Sequence, residues 1–310
     1  MLSQKKSTSA FNLPVGSQII GKWNKQTYTI LRLLGKGAIG AVYLVKNRDG
    51  QFAALKISDQ IASISSEVNV LKKLTKVHGS TPGPSLFDTD DWISRSGQSY
   101  PFYTMEYVHG ERLDQFISSK GIDWLAVLLC QLLSELEKLH QLGFVLGDLK
   151  IDNLIVTKSP IRLRFIDVGG VTSFGRSVKE YTDFYDRGYW KFGDRKAEPK
   201  YDLFSLAMVA IHCVYPNQFK KTDQPRRQLL NKLKQSKSLA NYQLFLERAL
   251  LGKYKSCFEM KRDLEKYHLR RMQRRQPNQS LANYDNQVSW IEIVILSVIS
   301  LITGLISYLF

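Results

Sequence analysis

The first third of the chain is a succession of short apolar runs separated by turn residues. "YTILRLLG", "GAVYLVKN" and "QFAALKIS" predict strands through their β-branched and aromatic content. Asp49-Gly50 between the last two is a hairpin signal, because both residues accept the left-handed backbone of a tight turn. At "SSEVNVLKKLTKV" the period becomes helical, with Val68, Leu71 and Leu74 on one face. "TPGPSLFD" then breaks the chain and "YPFYTMEYV" returns to strand. From Asp114 onward the pattern is mainly helical. "DWLAVLLCQLLSELEKLHQLG" predicts a long helix opened by Asp123 and stopped at Gly143. "YDLFSLAMVAIHCVY" is a second helix, apolar enough to be buried, and "NLIVT" and "LRFIDVGG" are short strands between the two. The pattern therefore predicts an α+β protein: a strand-rich lobe with one helix, then a helical lobe.

The two ends of the chain read differently. "MLSQKKSTSAFNLPVGSQ" has charges but no apolar core region, so it is no signal peptide and reads as a mobile tail. "WIEIVILSVISLITGLISYLF", Trp290 to Phe310, is apolar on every face. Twenty residues of helix span about 30 Å, the hydrocarbon thickness of a bilayer. Its one charge, Glu292, lies near the polar end, and a buried helix would show a polar stripe. A membrane anchor at the inner leaflet is expected, with "RMQRRQPNQSLANYDNQ" as a polar linker before it. Arg270, Arg271, Arg274 and Arg275 beside the run predict that the large N-terminal part is cytoplasmic.

Charge adds a class of partner. In 310 residues, 44 Lys and Arg face 28 Asp and Glu, a formal net charge of +16. The excess is concentrated: Lys220, Lys221, Arg226, Arg227, Lys232, Lys234 and Lys237 meet only Asp223, and Lys266 to Arg275 contains no acid. The second run suits anionic headgroups near the anchor. The first suits nucleic-acid phosphates, and with no base-reading motif DNA would be bound without sequence specificity. A solvated helix face is the plain alternative for each. Cys130, Cys213 and Cys257 have no paired spacing; Cys130 and Cys213 lie in apolar helix-like runs and read as buried reduced thiols, which fits a reducing compartment.

The candidate chemistry begins at "LGKGAIGAV", Leu34 to Val42. Gly35, Gly37 and Gly40 would let backbone N–H groups approach phosphate oxygens. A dinucleotide fold wants such a loop between strand and helix, whereas here it lies between two strands. Lys56 at the end of "AALK" would pair the α- and β-phosphates of ATP, held by Glu67 on the first helix. In "GDLKIDN", Asp148 would accept a hydroxyl proton, Lys150 would steady the transferring phosphoryl group and Asn153 would take a metal ion. Asp167 in "FIDVGG" would make the other metal contact.

With these motifs in this order, residues 27–265 resemble a Hanks-type protein kinase domain, with an N-lobe of about 27–108 and a C-lobe of about 109–265. Residues 1–26 would be a tail and lead-in, 266–289 a basic juxtamembrane linker and 290–310 the anchor. "GKWNKQTYT", "EYTDFYDRGYW" and the C-terminal run are similar to the short membrane-anchored serine/threonine kinases of spore-forming bacilli, which lack an extracellular sensor domain. The resemblance implies the two-lobed kinase fold, protein substrates phosphorylated on Ser or Thr, autophosphorylation with transient self-association, and a role during sporulation. It implies ATP and Mg2+ as cofactors, with Mn2+ able to substitute. It also implies an ATP site made of Leu34, Gly35, Lys36, Gly37, Ala38, Gly40, Val42, Ala54, Lys56, Glu67, Met105, Glu106, Val108 and Ile155, with "MEYV" as the adenine-binding linker.

The departures from the family pattern are specific. Leu146 and Val168 replace the usual His and Phe, and as aliphatic side chains they can still fill an apolar column between lobes. Gly147 replaces the Arg that usually captures a phosphorylated loop, so phosphorylation of Thr172, Ser173, Ser177 or Thr182 can still occur but is not expected to be a strict on-switch. No Ala-Pro-Glu is present where "GYWKFG" stands. Asp202 resembles the residue that anchors the catalytic-loop backbone. Two rival readings stay open: a small-molecule phosphotransferase, which also carries Gly before the catalytic Asp, and a kinase-fold scaffold at the membrane without activity.

Overall fold

The alternating apolar runs form an antiparallel sheet with both faces in use. A computed structural model describes residues 11–37, 39–76 and 82–275, with side chains to Tyr267. The chain divides into two units, 1–265 and 266–310. In the first, six strands run in the order β1 (Gln18–Ile20), β2 (Thr27–Lys36), β3 (Ala41–Asn47), β4 (Phe52–Ile57), β6 (Ser99–Glu106) and β5 (Leu86–Ile93). The β3–β4 hairpin closes through Gly50 at φ +84°, as Asp49-Gly50 predicts. Directly paired residues project to the same side of a sheet. The register Val42–Lys56–Tyr103 therefore puts these three side chains on one face, beside Leu44–Ala54–Met105. On the other face Ile30, Tyr43, Val45, Leu55 and Phe102 make a separate core. Helix α1 (Ile61–Leu74) packs on β6 and β5 and buries Val68, Leu71 and Leu74, the face its period specifies.

The lead-in departs from the expected mobile tail. Phe11 is buried, edge-on to Tyr100 with centroids 5.1 Å apart, and Ile19 sits in the core while β1 pairs with β2. Two widely spaced apolar residues suffice to dock an extended segment, although the stretch as a whole is polar.

After the linker at 107–109 the chain enters the helical part. This comprises β7 (Gly110–Arg112), α2 (Leu113–Lys120), α3 (Trp124–Gln141), β8 (Phe144–Val145), β9 (Leu154–Thr157), β10 (Leu163–Phe165) and β11 (Thr172–Ser173). Helices α4 (Pro199–His212), α5 (Pro225–Gln235), α6 (Gln243–Leu250) and α7 (Cys257–Arg275) follow. Helix α3 begins at Trp124 and ends before Gly143, which takes φ +80°. Helix α4 is buried from Tyr201 to His212, in keeping with a sequence apolar on all sides. One apolar core joins α1 and β6 of the strand-rich lobe to α3, α4 and α6 of the helical lobe, and it includes both Leu146 and Val168. Leu and Val thus do fill the space between lobes.

Among the described residues no helix is long and apolar enough to cross a membrane. The run 290–310, on which the anchor expectation rests, lies outside them.

Candidate active site

Strand β4, helix α1 and the segment after β10 bring three charged side chains together. Lys56 Nζ lies 2.6 Å from Glu67 Oε2 and 3.6 Å from Asp167 Oδ1. Glu67 also accepts from Tyr103 Oη at 2.7 Å and Ser63 Oγ at 3.1 Å, so a carboxylate only 2% exposed is fully engaged. Burial pulls the Lys56 ammonium down, but the Asp167 and Glu67 charges outweigh it and hold its pKa above the ordinary lysine value. The lysine stays charged and presents a fixed cation to the cleft.

The loop after β8 supplies the second group. Lys150 forms an ion pair with Asp148, and Asn153 Nδ2 donates to the Asp148 carbonyl at 3.2 Å. The Asn153 amide nitrogen is thereby committed, which leaves its oxygen for a cation. Asp167 is 42% exposed on its side chain and offers a second hard oxygen donor, a donor type that fits Mg2+. Asp202 orients this loop from α4. Its carboxylate, 0% exposed, accepts from Leu146 N at 2.7 Å and Gly147 N at 3.0 Å. His140 Nε2 lies 2.9 Å from the same carboxylate, and Cys257 Sγ lies 3.4 Å from His140 Nδ1.

The proposed nucleotide-lining residues fall around this cleft. Val42, Ala54, Met105 and Leu34 belong to the core facing it, Val108 is buried in the linker and Ile155 is half-buried on β9. A Cβ on Gly35 or Gly37 would meet open space, whereas one on Gly40 would strike the Ile57 carbonyl. Gly40 is therefore required by the backbone approach. Lys36 closes β2, and Ala38 lies outside the described residues. The Glu106 side chain points elsewhere: Arg164 grips it at 3.0 Å through both terminal nitrogens, and Ser85 N donates to it. Only its backbone can serve an adenine ring.

Gly147 has a structural reason beyond the missing Arg. It adopts φ +80°, and a Cβ there would lie 2.5 Å from the Gly170 carbonyl. The segment after Asp167 is packed directly against the loop at the position where the family's Arg would start.

Three features were not visible beforehand. Thr182, noted only as a modification candidate, donates to Asp148 Oδ1 at 2.9 Å and lies 3.3 Å from Lys150 Nζ. Glu180 reaches the same site: a Cβ on Gly169 would lie 3.4 Å from both Asp167 Oδ1 and Glu180 Oε2. Burial first, then the Asp167 charge, pushes the Glu180 carboxyl up. In place of Ala-Pro-Glu, Asp186 is buried and accepts from Gly188 N, Tyr189 N and Tyr201 Oη while pairing with Arg195 at 2.7 Å. Trp190 plugs the core below it and donates to the Phe184 carbonyl at 2.8 Å. Apart from the Gly188 and Tyr189 amides, which belong to the turn of Asp186 itself, no sequence signal marks these contacts, since the partners are brought in from other parts of the chain.

The hydroxyls of the segment now separate. Thr172 is buried and donates to the Gly170 carbonyl at 2.8 Å, whereas Ser173 and Ser177 are exposed. Replacing Ser173 and Ser177 together by Ala is expected to leave turnover within about twofold. Thr182→Ala is expected to lower kcat by about tenfold or more, through loss of a hydrogen bond to a charged group. A radiolabel assay on the two variants checks both, and inactivity of the Ser173/Ser177 variant would show that loop phosphorylation is an on-switch after all.

Cys257 is buried, whereas Cys130 and Cys213 are half-buried rather than fully buried as expected. Partial burial still pushes the Cys130 thiol to about 11 and the Cys213 thiol to about 12, and burial lifts Cys257 well above its ordinary value. All three are protonated and weakly nucleophilic at neutral pH.

A lysine–glutamate pair under a glycine loop, facing an Asp-Lys-Asn loop and a second Asp, defines the ATP-dependent phosphotransferases of the kinase fold. The protein-kinase-domain family model matches residues 28–279, and the chain belongs to the protein kinase family. Among individual proteins it is 50% identical over 278 residues to serine/threonine-protein kinase YabT of Bacillus subtilis, covering 89% of this chain and 82% of that one. Serine/threonine-protein kinase pim-2 of Danio rerio is 28% identical over 177 residues, 52% of this chain and 56% of its own length. Serine/threonine-protein kinase cek1 of Schizosaccharomyces pombe is 26% identical over 146 residues, 46% of this chain and 11% of its own.

Proposed function

We propose that this protein transfers the γ-phosphoryl group of ATP to Ser and Thr hydroxyls of proteins, its own chain included. One observation carries the reading: Asp148, with Lys150 and Thr182 on its carboxylate, shares a cleft with the Lys56–Glu67–Asp167 cluster. Bound ATP with Mg2+, or Mn2+ in its place, would supply the activated phosphoryl group; Asn153 and Asp167 would hold the metal. Lys56 would fix the α- and β-phosphates, and Lys150 would balance charge on the transferring group. Asp148 would orient the acceptor hydroxyl and take its proton as the oxygen bonds to phosphorus and the bond to the ADP oxygen breaks. Incubating the full chain with labelled ATP and Mg2+ tests this, using a generic protein, small alcohols and amino sugars as acceptors. Label on small acceptors alone would favour the rival phosphotransferase, and no label anywhere would favour a scaffold.

The setting of this activity is part of the same proposal. We infer that residues 290–310 anchor the chain at the inner leaflet of the cell membrane with the kinase part cytoplasmic. We also infer that DNA, bound without sequence specificity, stimulates it, and that it acts during sporulation. The apolar run and basic flank support the first, the concentrated positive charge the second, and the resemblance to kinases of spore-forming bacilli the third. Lys221 and Arg226 are poor test positions, because they clasp the segment around Tyr189 and Lys191. In vesicle-reconstituted full chain, duplex DNA is expected to bind with a log–log salt slope of roughly −0.9 per phosphate neutralised. Arg227→Ala, Lys234→Ala and Lys237→Ala together should flatten that slope. No DNA binding at about 50 mM salt, or failure of the chain to enter vesicles, would remove the corresponding inference.

A further inference from the structure

The segment after Thr182 and the α4–α5 connection carry cations that, among the described residues, sit in no ion pair, although Lys196 lies in the field of Asp194. Lys191 and Lys196 are exposed on it, and Lys220, Lys221, Arg226 and Arg227 are exposed on the α4–α5 connection and the start of α5. Among the described residues, none of these six has a carboxylate within ion-pairing distance. The contrast with their neighbours is direct. Arg187 is paired with Asp194 and Glu198, and Arg195 with buried Asp186.

Two of the unpaired cations are held in place without being neutralised. Lys221 Nζ lies 4.1 Å from the centroid of Tyr189, and Arg226 Cζ lies 5.4 Å from that of Phe192. Arg226 Nε also donates to the Lys191 carbonyl at 2.5 Å. An ordinary surface lysine gives up side-chain freedom whenever it forms an ion pair, which is why exposed pairs contribute little. A cation already stacked on a ring has lost that freedom beforehand, so its charge is more useful to an incoming anion.

Chain continuity says which anion can arrive. Thr182 touches Asp148, and Tyr189 follows seven residues later, within about 25 Å even for a fully extended chain. A polypeptide whose hydroxyl reaches Asp148 has residues close enough to meet this face. Asp183, exposed beside Thr182, and Asp194, 76% exposed on its side chain, interrupt the positive field. A duplex lying on the α5 cations, with one phosphate charge per about 1.7 Å of axis, would press phosphates against those carboxylates if it extended over residues 183–196. A peptide with spaced acidic residues need not.

We infer that the face formed by residues 191–196 and the start of α5 docks acidic residues of the protein substrate, some positions removed from the phosphorylated Ser or Thr. It rests on the kinase reading and adds the substrate class. The test uses the full chain and three peptides of equal length with one acceptor Ser. They carry four Glu, four Gln or four Lys at positions four to seven from it, placed on either side in separate sets. On one side, KM for the Glu peptide is expected to fall about tenfold below that of the Gln peptide, with kcat within about twofold, and the advantage fades with added salt. The charge-reversal variant Lys191→Glu, Lys196→Glu, Lys220→Glu should invert the ranking and favour the Lys peptide. A merely damaged segment would instead raise KM for all three. Fluorescence anisotropy with labelled peptides and no ATP should give the same order, so the inference is decided even if turnover fails, which would count against the kinase reading instead. Equal KM and equal Kd across the peptides overturns it. So does a reversal variant that loses duplex DNA but keeps the peptide ranking, which reassigns the face to nucleic acid.

Discussion

Asp148→Asn is expected to lower autophosphorylation and transfer to a protein acceptor by about 10²–10⁴-fold, the usual cost of removing a positioned general base. The variant keeps an oxygen for the Thr182 hydroxyl and loses only the charge that Lys150 balances, so its thermal midpoint should stay close to that of the parent. Lys56→Ala is expected to cost as much activity, but it is not a silent change in stability. It leaves Glu67, 2% exposed, with Tyr103 and Ser63 as donors but no counter-charge. Breaking one partner out of a buried pair costs about 3–5 kcal/mol, softened here by those two hydrogen bonds. Reading labelled phosphate and a melting curve on the same samples separates the effects. Near-parental turnover in either variant would remove the assignment of Lys56 and Asp148.

Asp202→Ala is expected to have the largest effect on stability. The substitution strands Leu146 N, Gly147 N and one face of His140 in a region closed to solvent. Buried donors left without acceptors cost about 1–3 kcal/mol each, so a loss on the order of 3–5 kcal/mol is expected. At roughly 2–4 °C per kcal/mol for a domain of this size, the melting midpoint should fall by about 10 °C. The surviving folded fraction should also show reduced kcat, because the two freed amides immediately precede Asp148. A midpoint within a degree or two of the parent would mean that water or another acceptor takes over.

How far the residues foretold the molecule depends on the range of the contact concerned. Strands β2 to β4 and β6, the hairpin and helices α1, α3 and α4 followed from local period and turn chemistry, whereas β5 and helices α2, α5 and α6 were not singled out by the pattern. The chemistry-bearing motifs were equally readable, because each is a run of a few residues whose types are dictated by phosphate, metal and hydroxyl. That Lys56, Glu67 and Asp167 meet was implied by the resemblance to protein kinases, not by any local rule.

Other features depend on partners far apart in the chain. Phe11 and Ile19 look like scattered apolar residues in a polar lead-in until Tyr100 and β2 offer them a surface. Gly147 looks like a lost Arg until the carbonyl of Gly170 is found where a Cβ would stand. The segment that lacks Ala-Pro-Glu is held by buried Asp186, Tyr201 and Trp190 together with the half-exposed Arg195, a grouping no spacing rule describes. Thr182 lies 34 residues from Asp148, and only folding the intervening strands back over the loop makes its hydroxyl part of the site. Spacing along the chain specified what chemistry the residues can carry; long-range packing selected the neighbours that hold them in place, because burial and hydrogen bonding act through space.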